Sequence, residues 1–530
     1  MKQAKHSRLS QYKKYIINLI VPAIVFGFIT GTLTSFFVTL FKFLAHHAIH
    51  FSSMGYAFLR EHLYLLPVVI LALVGFSFLL AFIYRRIPNL KGGGIPTSVG
   101  ILRGIITFRW VRSFVGVFLL SLGSFLIGVP LGNEGPSVQM GTSLGKGSVR
   151  LFAKTHGAWS RYSMTGGACA GFSVATGAPI SGILFAIEEA HQRISPMIMI
   201  VASSSVLFAN ISSRAFASFF GVSTSLFGEL ILPKLGIKQL WIPLLVGIVV
   251  GIFGALILKY YQFLKFFFSK VVKIPAQYKI AMILVATVCV GLCSFSAVST
   301  GHDLIIDLFS PENKFTILVL IFILIARTTL TVSASTNGIT GGLFIPSLAL
   351  GATVSAIIGK IALSLGMDSQ LYIMILVLGI VASLSGLMKS PLTAIIFALE
   401  ALFCHENIIS VIMVSLIAYF VTELFDAKSI NDSAMETRVE ELNEGKEAKV
   451  INTRVTVKHG SFASGKQIRD IFWPANLFVL SVTKAKTNSE EIDEHGGKAL
   501  RTGDVLQVQY STMDEKETWQ ELIAIVGKQE

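Results

Sequence analysis

The chain has 530 residues, of which 53% are hydrophobic and only 14% charged, with a formal net charge of +14. Soluble globular proteins carry about 25% charged residues, so this composition excludes a chain that mainly faces water, and its hydrophobicity excludes disorder. Up to Ala434 there are 31 Lys/Arg and 14 Asp/Glu, and from Glu436 onward 13 and 16: a basic body precedes an acidic tail, which argues against nucleic-acid binding.

Nine stretches of 20 or more residues lack Asp, Glu, Lys and Arg: 15–41, 62–84, 113–133, 162–187, 194–213, 239–258, 280–302, 328–359 and 369–388. Each is long enough for a membrane-spanning helix, which needs roughly 20 apolar residues. Shorter runs at 315–326, 390–399 and 407–422 read as half-helices or tilted partners. The first run follows Lys2, Lys5, Arg8, Lys13 and Lys14, which places the N-terminus on the cytoplasmic side. It is too long for a signal peptide and has no small-residue cleavage site, so it is expected to remain as a helix. Cys169, Cys289, Cys293 and Cys404 all lie in apolar stretches and read as packing residues rather than a disulfide framework.

Several runs are interrupted or bordered by glycine and proline: Gly92-Gly93-Gly94-Ile95-Pro96, Gly132-Asn133-Glu134-Gly135-Pro136 and Gly341-Gly342-Leu343-Phe344-Ile345-Pro346. Unpaired backbone groups are expensive in lipid, so such clusters predict broken helices lining a cavity, with half-helix N-termini aimed at an anion. The chain also resembles itself. Pro136–Gly141 corresponds to Pro346–Gly351 at an offset of 210, and Pro179–Glu188 to Pro391–Glu400 at an offset of 212. A repeat of this length, with broken helices in both halves, points to a transporter with its site at the repeat interface.

Acids beside apolar helices are functional candidates by default, because a carboxylate at membrane depth costs at least ~2.5 kcal/mol. Glu188 and Glu400 end matched segments of the repeat and read as paired structural carboxylates. Glu134 differs, because Gly132, Gly135 and Pro136 around it predict a cluster of exposed N–H groups at a helix start. A carboxylate there competes with a permeating anion for the same donors, and protonation makes it lose that competition. Anion access and proton uptake are then linked at one residue.

These motifs, together with Gly177-Ala178-Pro179-Ile180-Ser181-Gly182 followed by Glu188-Glu189, resemble those of the CLC chloride channel and transporter family over about residues 15–440. The resemblance implies an all-α polytopic membrane protein built as a CLC-type inverted repeat, a homodimer in the lipid of the cell membrane with one anion pathway per subunit. By position, Glu134 corresponds to the external gating glutamate and Glu189 to the internal proton-transfer carboxylate of exchangers. Gly93, Gly94, Ile95, Asn133, Gly135, Leu343, Phe344 and Ile345 fall where the family's backbone amides line the anion site. The expected function is secondary active exchange of chloride for protons, with no cofactor, no metal and no enzymatic activity. The alternatives are a voltage- or ligand-gated chloride channel without proton coupling, or an exporter of another small anion such as fluoride. Two positions depart from the family pattern: Gly93 stands where a serine is usual, and Asn431 aligns with a tyrosine. Both hydroxyl donors to the central anion are missing, although the Asn431 amide could replace one. Weaker central binding and looser coupling are expected.

The chain divides into a transmembrane domain over 1–435, a linker at 436–449, whose charge-dense part 436–447 reads as a linker or helix end, and a small cytoplasmic α/β domain at 450–530. Strands are predicted at Val450–Lys458, Leu477–Thr483 and Asp504–Tyr510, a short helix at Gly465–Ile471 and a closing helix at Glu515–Val526. Gly465-Lys466-Gln467-Ile468 and Leu500–Leu506 resemble the C-terminal domain of TrkA-type potassium-channel regulators. That resemblance implies a cytoplasmic module for dimer formation or for sensing an unidentified small ligand.

Overall fold

The computed structural model describes residues 2–152, 157–271, 274–443, 448–485, 489–491, 496–497, 499–512 and 515–529. The first half contains α1 (Lys2–Glu61), α2 (Leu66–Arg86), α3 (Ile95–Leu102), α4 (Trp110–Ile127), α5 (Glu134–Phe152), α6 (Ser160–Thr176), α7 (Pro179–Phe185) and α8 (Pro196–Phe220). A π-helical turn, Ala186–His191, follows α7 directly. The second half contains α9 (Trp241–Phe266), α10 (Ala276–Cys293), α11 (His302–Leu308), α12 (Ile317–Thr336), α13 (Phe344–Ser364), α14 (Gln370–Met388), α15 (Pro391–Ala401), α16 (Ile408–Leu424) and α17 (Ile430–Asn443). Ten helical spans among the described residues are long and apolar enough to cross a membrane.

Two of the uncharged runs each hold parts of two helices. The run 162–187 breaks at Gly177, whose φ of +70° ends α6, and restarts at Pro179 as α7. The run 328–359 breaks between α12 and α13 at residues 337–343. Glycine and proline thus cut apolar segments at membrane depth, where backbone ends need protein partners.

The most intimate helix pairs are glycine-mediated. Gly141 of α5 and Gly167 of α6 face each other so closely that a Cβ on either would stand 2.0 Å from the other's carbonyl oxygen. In the second half, Gly351 of α13 approaches Gly379 of α14, where a Cβ would meet the Gly379 carbonyl at 2.4 Å. The two glycine pairs are offset by 210 and 212 residues, the same offsets as the sequence repeat.

The halves exchange equivalent contacts across a two-fold. Gly132 and Gly342 donate their amides to each other's carbonyls at 2.7 and 2.8 Å, an isolated antiparallel bridge. Glu400 caps the N-terminus of α7 through the Ile180 amide at 2.7 Å and the Ser181 amide at 2.9 Å. Glu188 does the same for α15 through Leu392 at 3.0 Å and Thr393 at 2.8 Å. The two glutamates therefore secure helix N-termini in opposite halves.

The C-terminal module is a four-stranded sheet of order β1-β4-β2-β3, with β1 (Lys449–Thr456), β2 (Leu477–Thr483), β3 (Glu490–Glu491) and β4 (Val505–Thr512), closed by α18 (Glu515–Val526). Val455, Val482, Leu506, Val508 and Leu522 form its core. The segment 465–471 is not the expected helix. Gly465 takes a φ of +84°, its amide and that of Leu500 bond across at 2.8 Å each, and only one tight turn remains at Ile468–Asp470. The charge-dense stretch 436–443 completes α17, the helix end that its composition allowed besides a linker, because Arg438 reaches the Ser335 carbonyl at 2.9 Å and Glu441 pairs with Lys91 at 2.5 Å. Residues 444–447 of the expected linker lie outside the described residues. The module docks on the membrane part through Tyr162, whose hydroxyl donates to the Asp470 carbonyl at 2.6 Å and accepts from the Phe472 amide at 3.2 Å.

Two stability predictions follow from these contacts. Gly167→Ala drives a methyl into the α5 backbone and should destabilise the protein by about 1–3 kcal/mol, whereas Gly55→Ala on α1, with nothing within 4 Å, should be neutral or mildly stabilising. Thermal unfolding in detergent compares the two. In the module, burial disfavours charge on Asp504, but the Lys484 ammonium at 2.9 Å and the amides of Arg501 at 3.0 Å and Ala485 at 3.2 Å win and hold its carboxyl below the ordinary value. Its stabilising contribution is therefore present above the unfolded carboxyl value of about 3.9 and is lost as pH falls below it. Protease protection of the module should fall over that window, and Asp504→Asn should flatten the dependence.

Candidate anion site and its two carboxylates

Three helix N-termini meet at the centre of the membrane part. A Cβ on Gly135, in the first turn of α5, would stand 2.6 Å from the Gly342 Cα and 3.3 Å from the Gly94 Cα. The three glycine motifs therefore touch backbone to backbone, with α3, α5 and α13 all starting at this point. Helix starts leave N–H groups without intrahelical acceptors, and their aligned dipoles favour negative charge. Pro96, Pro136 and Pro346 each occupy the first helical turn, where the missing donor does no harm.

The motifs are locked from behind by buried polar contacts. The Gly92 amide donates to the Gly338 carbonyl at 2.6 Å, and the Thr340 hydroxyl to the Leu90 carbonyl at 2.8 Å. The Tyr84 hydroxyl lies 2.8 Å from the Thr340 hydroxyl. Phe344, 2% exposed, packs edge-to-face on Phe172 of α6 and Phe397 of α15, with centroids at 5.1 and 5.3 Å. That packing fixes the start of α13 beside α6 and α15.

Glu134 is fully buried, and both of its carboxylate oxygens lack a hydrogen-bond partner. The side chain curls back over its own helix start: a Cβ on Gly132 would stand 2.6 Å from Oε2. The same Cβ position lies 3.4 Å from the Ile345 Cβ, on α13. The carboxylate thus occupies the positive end shared by α5 and α13. A cavity of about 420 Å³ reaches this point, with Asn133 and Ile345 in its wall.

Of the first-motif residues, Gly94 does not present an open amide. Its N–H donates to Gln139 Oε1 at 2.5 Å, and Gln139 is held in turn by donating to Ser113 Oγ at 3.1 Å and the Asn89 carbonyl at 3.2 Å. Gln139 was not a sequence candidate, although it is the single amide side chain in the otherwise small and apolar segment 136–141. Gly93 leaves the space beside Gln139 and Thr340 without a side chain; a Cβ would meet each at 3.0 Å.

Glu189 sits on the π-helical turn Ala186–His191, which follows α7 directly. The Asn431 amide donates to Glu189 Oε1 and contacts the Met388 sulfur at 3.1 Å. Asn431 is therefore engaged by Glu189 rather than substituting for a hydroxyl at the ring of helix starts, a correction to the sequence expectation. Arg103 fixes the same turn by donating to the Glu189 and Ala190 carbonyls at 2.9 and 3.0 Å. Glu188, next in sequence, points to α15 instead, in its capping role. The module reaches this turn as well. The Phe472 ring lies 4.6 Å from His191 and under the Arg193 guanidinium at 4.7 Å, and His191 Nε2 is 2.8 Å from the Thr165 hydroxyl.

No group of three or more His, Cys, Asp or Glu capable of holding a metal occurs among the described residues.

Comparison with known proteins agrees with this architecture. Residues 76–423 match the family described as voltage gated chloride channel. The chain is 27% identical over 446 residues to the H(+)/Cl(-) exchange transporter ClcA of Salmonella agona (strain SL483), covering 80% of this chain and 89% of the relative. It is 27% identical over 447 residues to the ClcA of Klebsiella pneumoniae (strain 342), covering 81% and 90%. A slow cyanobacterial Cl-/H+ antiporter superposes with a TM-score of 0.68 at 25% identity, over 80% of this chain and 99% of that one. A CLC-type fluoride/proton antiporter shares the fold with a TM-score of 0.63 at 19% identity, over 76% and 96%. With a family match that spans most of the helical part, and three glycine motifs converging on one point, the chain belongs to the voltage gated chloride channel family, CLC.

Proposed function

We propose that the protein is a secondary active exchanger of chloride for protons. The observation that carries this reading is the pairing of two carboxylates along one pathway: Glu134, buried at the shared helix starts, and Glu189, half-buried and held by Asn431 near the far end of α6. Glu134 unprotonated fills the positive site that a chloride would take, and Glu134 protonated has no reason to stay there. Each anion passage is then tied to a proton at Glu134, and Glu189 supplies the second carboxylate from the opposite side. The relatives' name, H(+)/Cl(-) exchange transporter, supports the same reading.

An uncoupled chloride channel is the second reading, favoured by a specific feature: the site is poor in side-chain donors. Gly93 offers none, the Gly94 amide is taken by Gln139, and the Asn431 amide by Glu189. A fluoride exporter is supported by fold alone, and the third motif Gly342-Leu343-Phe344-Ile345-Pro346 favours chloride.

Further parts of the proposal follow from the family and the charge pattern. The working unit is a homodimer in the cell membrane, with both termini cytoplasmic. The membrane domain runs to the end of α17 at Asn443, residues 444–448 connect it, and the remainder to 530 forms a TrkA-C-like module that regulates transport, with a small ligand of unidentified chemistry as its potential effector. The docking of Phe472 on His191, two residues beyond Glu189, supports regulation at the internal carboxylate.

In proteoliposomes with an imposed chloride gradient and a pH probe, the unmodified protein should move protons uphill. Glu134→Gln and Glu189→Gln should each lower proton movement at least tenfold while chloride flux persists. Chloride flux without proton movement in the unmodified protein would sink exchange and leave the channel reading. For the module, Phe472→Ala removes the ring from His191 and should change the chloride turnover rate or the proton-to-chloride ratio by twofold or more. Unchanged values of both would make the module a passive attachment.

A further inference from the structure

The cavity that leads to Glu134 has one lysine in its wall, and neither of the two proposed carboxylates is bonded to it. Lys42 lies on α1, where it ends the 27-residue uncharged run 15–41. Its ammonium donates to the Val174 carbonyl at 3.3 Å and the Ser223 carbonyl at 3.2 Å. An ammonium has three donors, so two backbone acceptors leave one N–H for the cavity. No carboxylate lies within ion-pair distance of it among the described residues. The acid in the same wall, Asp303, is 3.4 Å from His302 instead.

The position follows from the helix register. Gly171 meets Ser137, Gly167 meets Gly141 and Gly145 meets Ser163, so α5 and α6 run antiparallel, and the start of α5 lies beside the end of α6. Val174 is at that end, which sets Lys42 next to the turn that carries Asn133 and Glu134. The lysine and the glutamate are within electrostatic reach of one another. Asn133, the neighbour of Glu134 in the same wall, is neutral, so the fixed positive charge at this mouth comes from α1 rather than from the motif itself.

We propose that Lys42 is the residue that captures chloride from the cavity and delivers it to the helix starts where Glu134 resides. This rests on the chloride-carrying reading above. A carbonyl-anchored ammonium lowers the energy of an anion in the mouth without closing a salt bridge that would trap it. It acts before the exchange step, so it sets the chloride concentration dependence and leaves the proton stoichiometry alone. At a separation of several ångströms in a partly solvated cavity, one charge changes anion occupancy by about tenfold.

The test is initial radiochloride uptake into proteoliposomes against external chloride, for the unmodified protein, Lys42→Met and Lys42→Arg. Lys42→Met should raise the half-saturating chloride about tenfold, with the limiting rate and the proton-to-chloride ratio within about twofold. Lys42→Arg should restore the unmodified dependence. In the unmodified protein the half-saturating chloride should also rise as an impermeant salt is added, because screening weakens capture, and in Lys42→Met that dependence should be lost. An unchanged half-saturation in Lys42→Met overturns the inference. So does a fall in limiting rate alone that Lys42→Arg does not rescue, which would make Lys42 a prop for the end of α6. Should Lys42→Met fail to fold, a salt-independent half-saturation in the unmodified protein overturns it on its own. An unmodified protein that carries no chloride would instead remove the exchange reading, and this inference with it.

Discussion

The structure depends on bringing helix N-termini together inside the membrane. Each helix start carries N–H groups with no intrahelical acceptor and a partial positive charge of roughly half a unit. Placing α3, α5 and α13 at one point gathers three such ends inside the membrane part, and like partial charges repel. The arrangement is tolerable only if the backbones come close enough to bond each other and if something negative fills the centre. The mutual bonds of Gly132 and Gly342 meet the first condition. The Glu134 carboxylate, folded over Gly132, meets the second. On the exchange reading, the anion site is the unsatisfied remainder of a packing arrangement, and an anion that reaches it takes over work that Glu134 otherwise performs.

The repeat separates structure from function. At an offset of 212, Glu188 and Glu400 are equivalent, and they perform one reciprocal task on opposite halves. Symmetry at these positions marks a requirement of the scaffold. At Glu134 the equivalent residue is Phe344, an apolar side chain packed between two other rings. At Glu189 the equivalent is Ala401. Only the first half keeps a carboxylate at those places, so neither is needed to close the fold. A two-fold scaffold with one-sided carboxylates produces a pathway whose two ends differ.

Much of this was legible in the sequence, for physical reasons that can be named. Uncharged runs and glycine–proline clusters report directly on burial in lipid and on broken backbone, so the membrane body, the three motifs and the repeat were visible. Run length is a poorer guide to helix ends, since no charge marks a break such as Gly177–Pro179 inside the run 162–187. Side-chain partners across the repeat were hidden. Gln139 reads as one polar residue in an apolar helix until Gly94 is placed against it, and Asn431 reads as a substitute hydroxyl until Glu189 turns toward it. In the tail, period-two patterns located the strands, but Gly465 and the pairing of Gln467 with Ala499 drew the expected helix into extended backbone. That choice was made by a partner more than 30 residues away, which local pattern does not encode.

What the site lacks also shapes how it works. Buried polar atoms in proteins are nearly always satisfied, yet Asn133 Oδ1, both Glu134 oxygens and Asn431 Oδ1 have no protein partner. These atoms belong to the two motifs that bracket the pathway, one at each carboxylate. Asn431 commits its N–H groups to Glu189 and Met388, which leaves its Oδ1 acceptor buried without a partner. A stretch bounded by acceptors, with few side-chain donors, holds an anion weakly and suits donors that move, such as water or a protonated carboxyl. Backbone dipoles remain the main attraction for the anion, and they fall off within a turn of the helix start. On the exchange reading, anion occupancy is therefore concentrated at the Glu134 end, where the helix starts and Lys42 lie, while the Glu189 end serves protons.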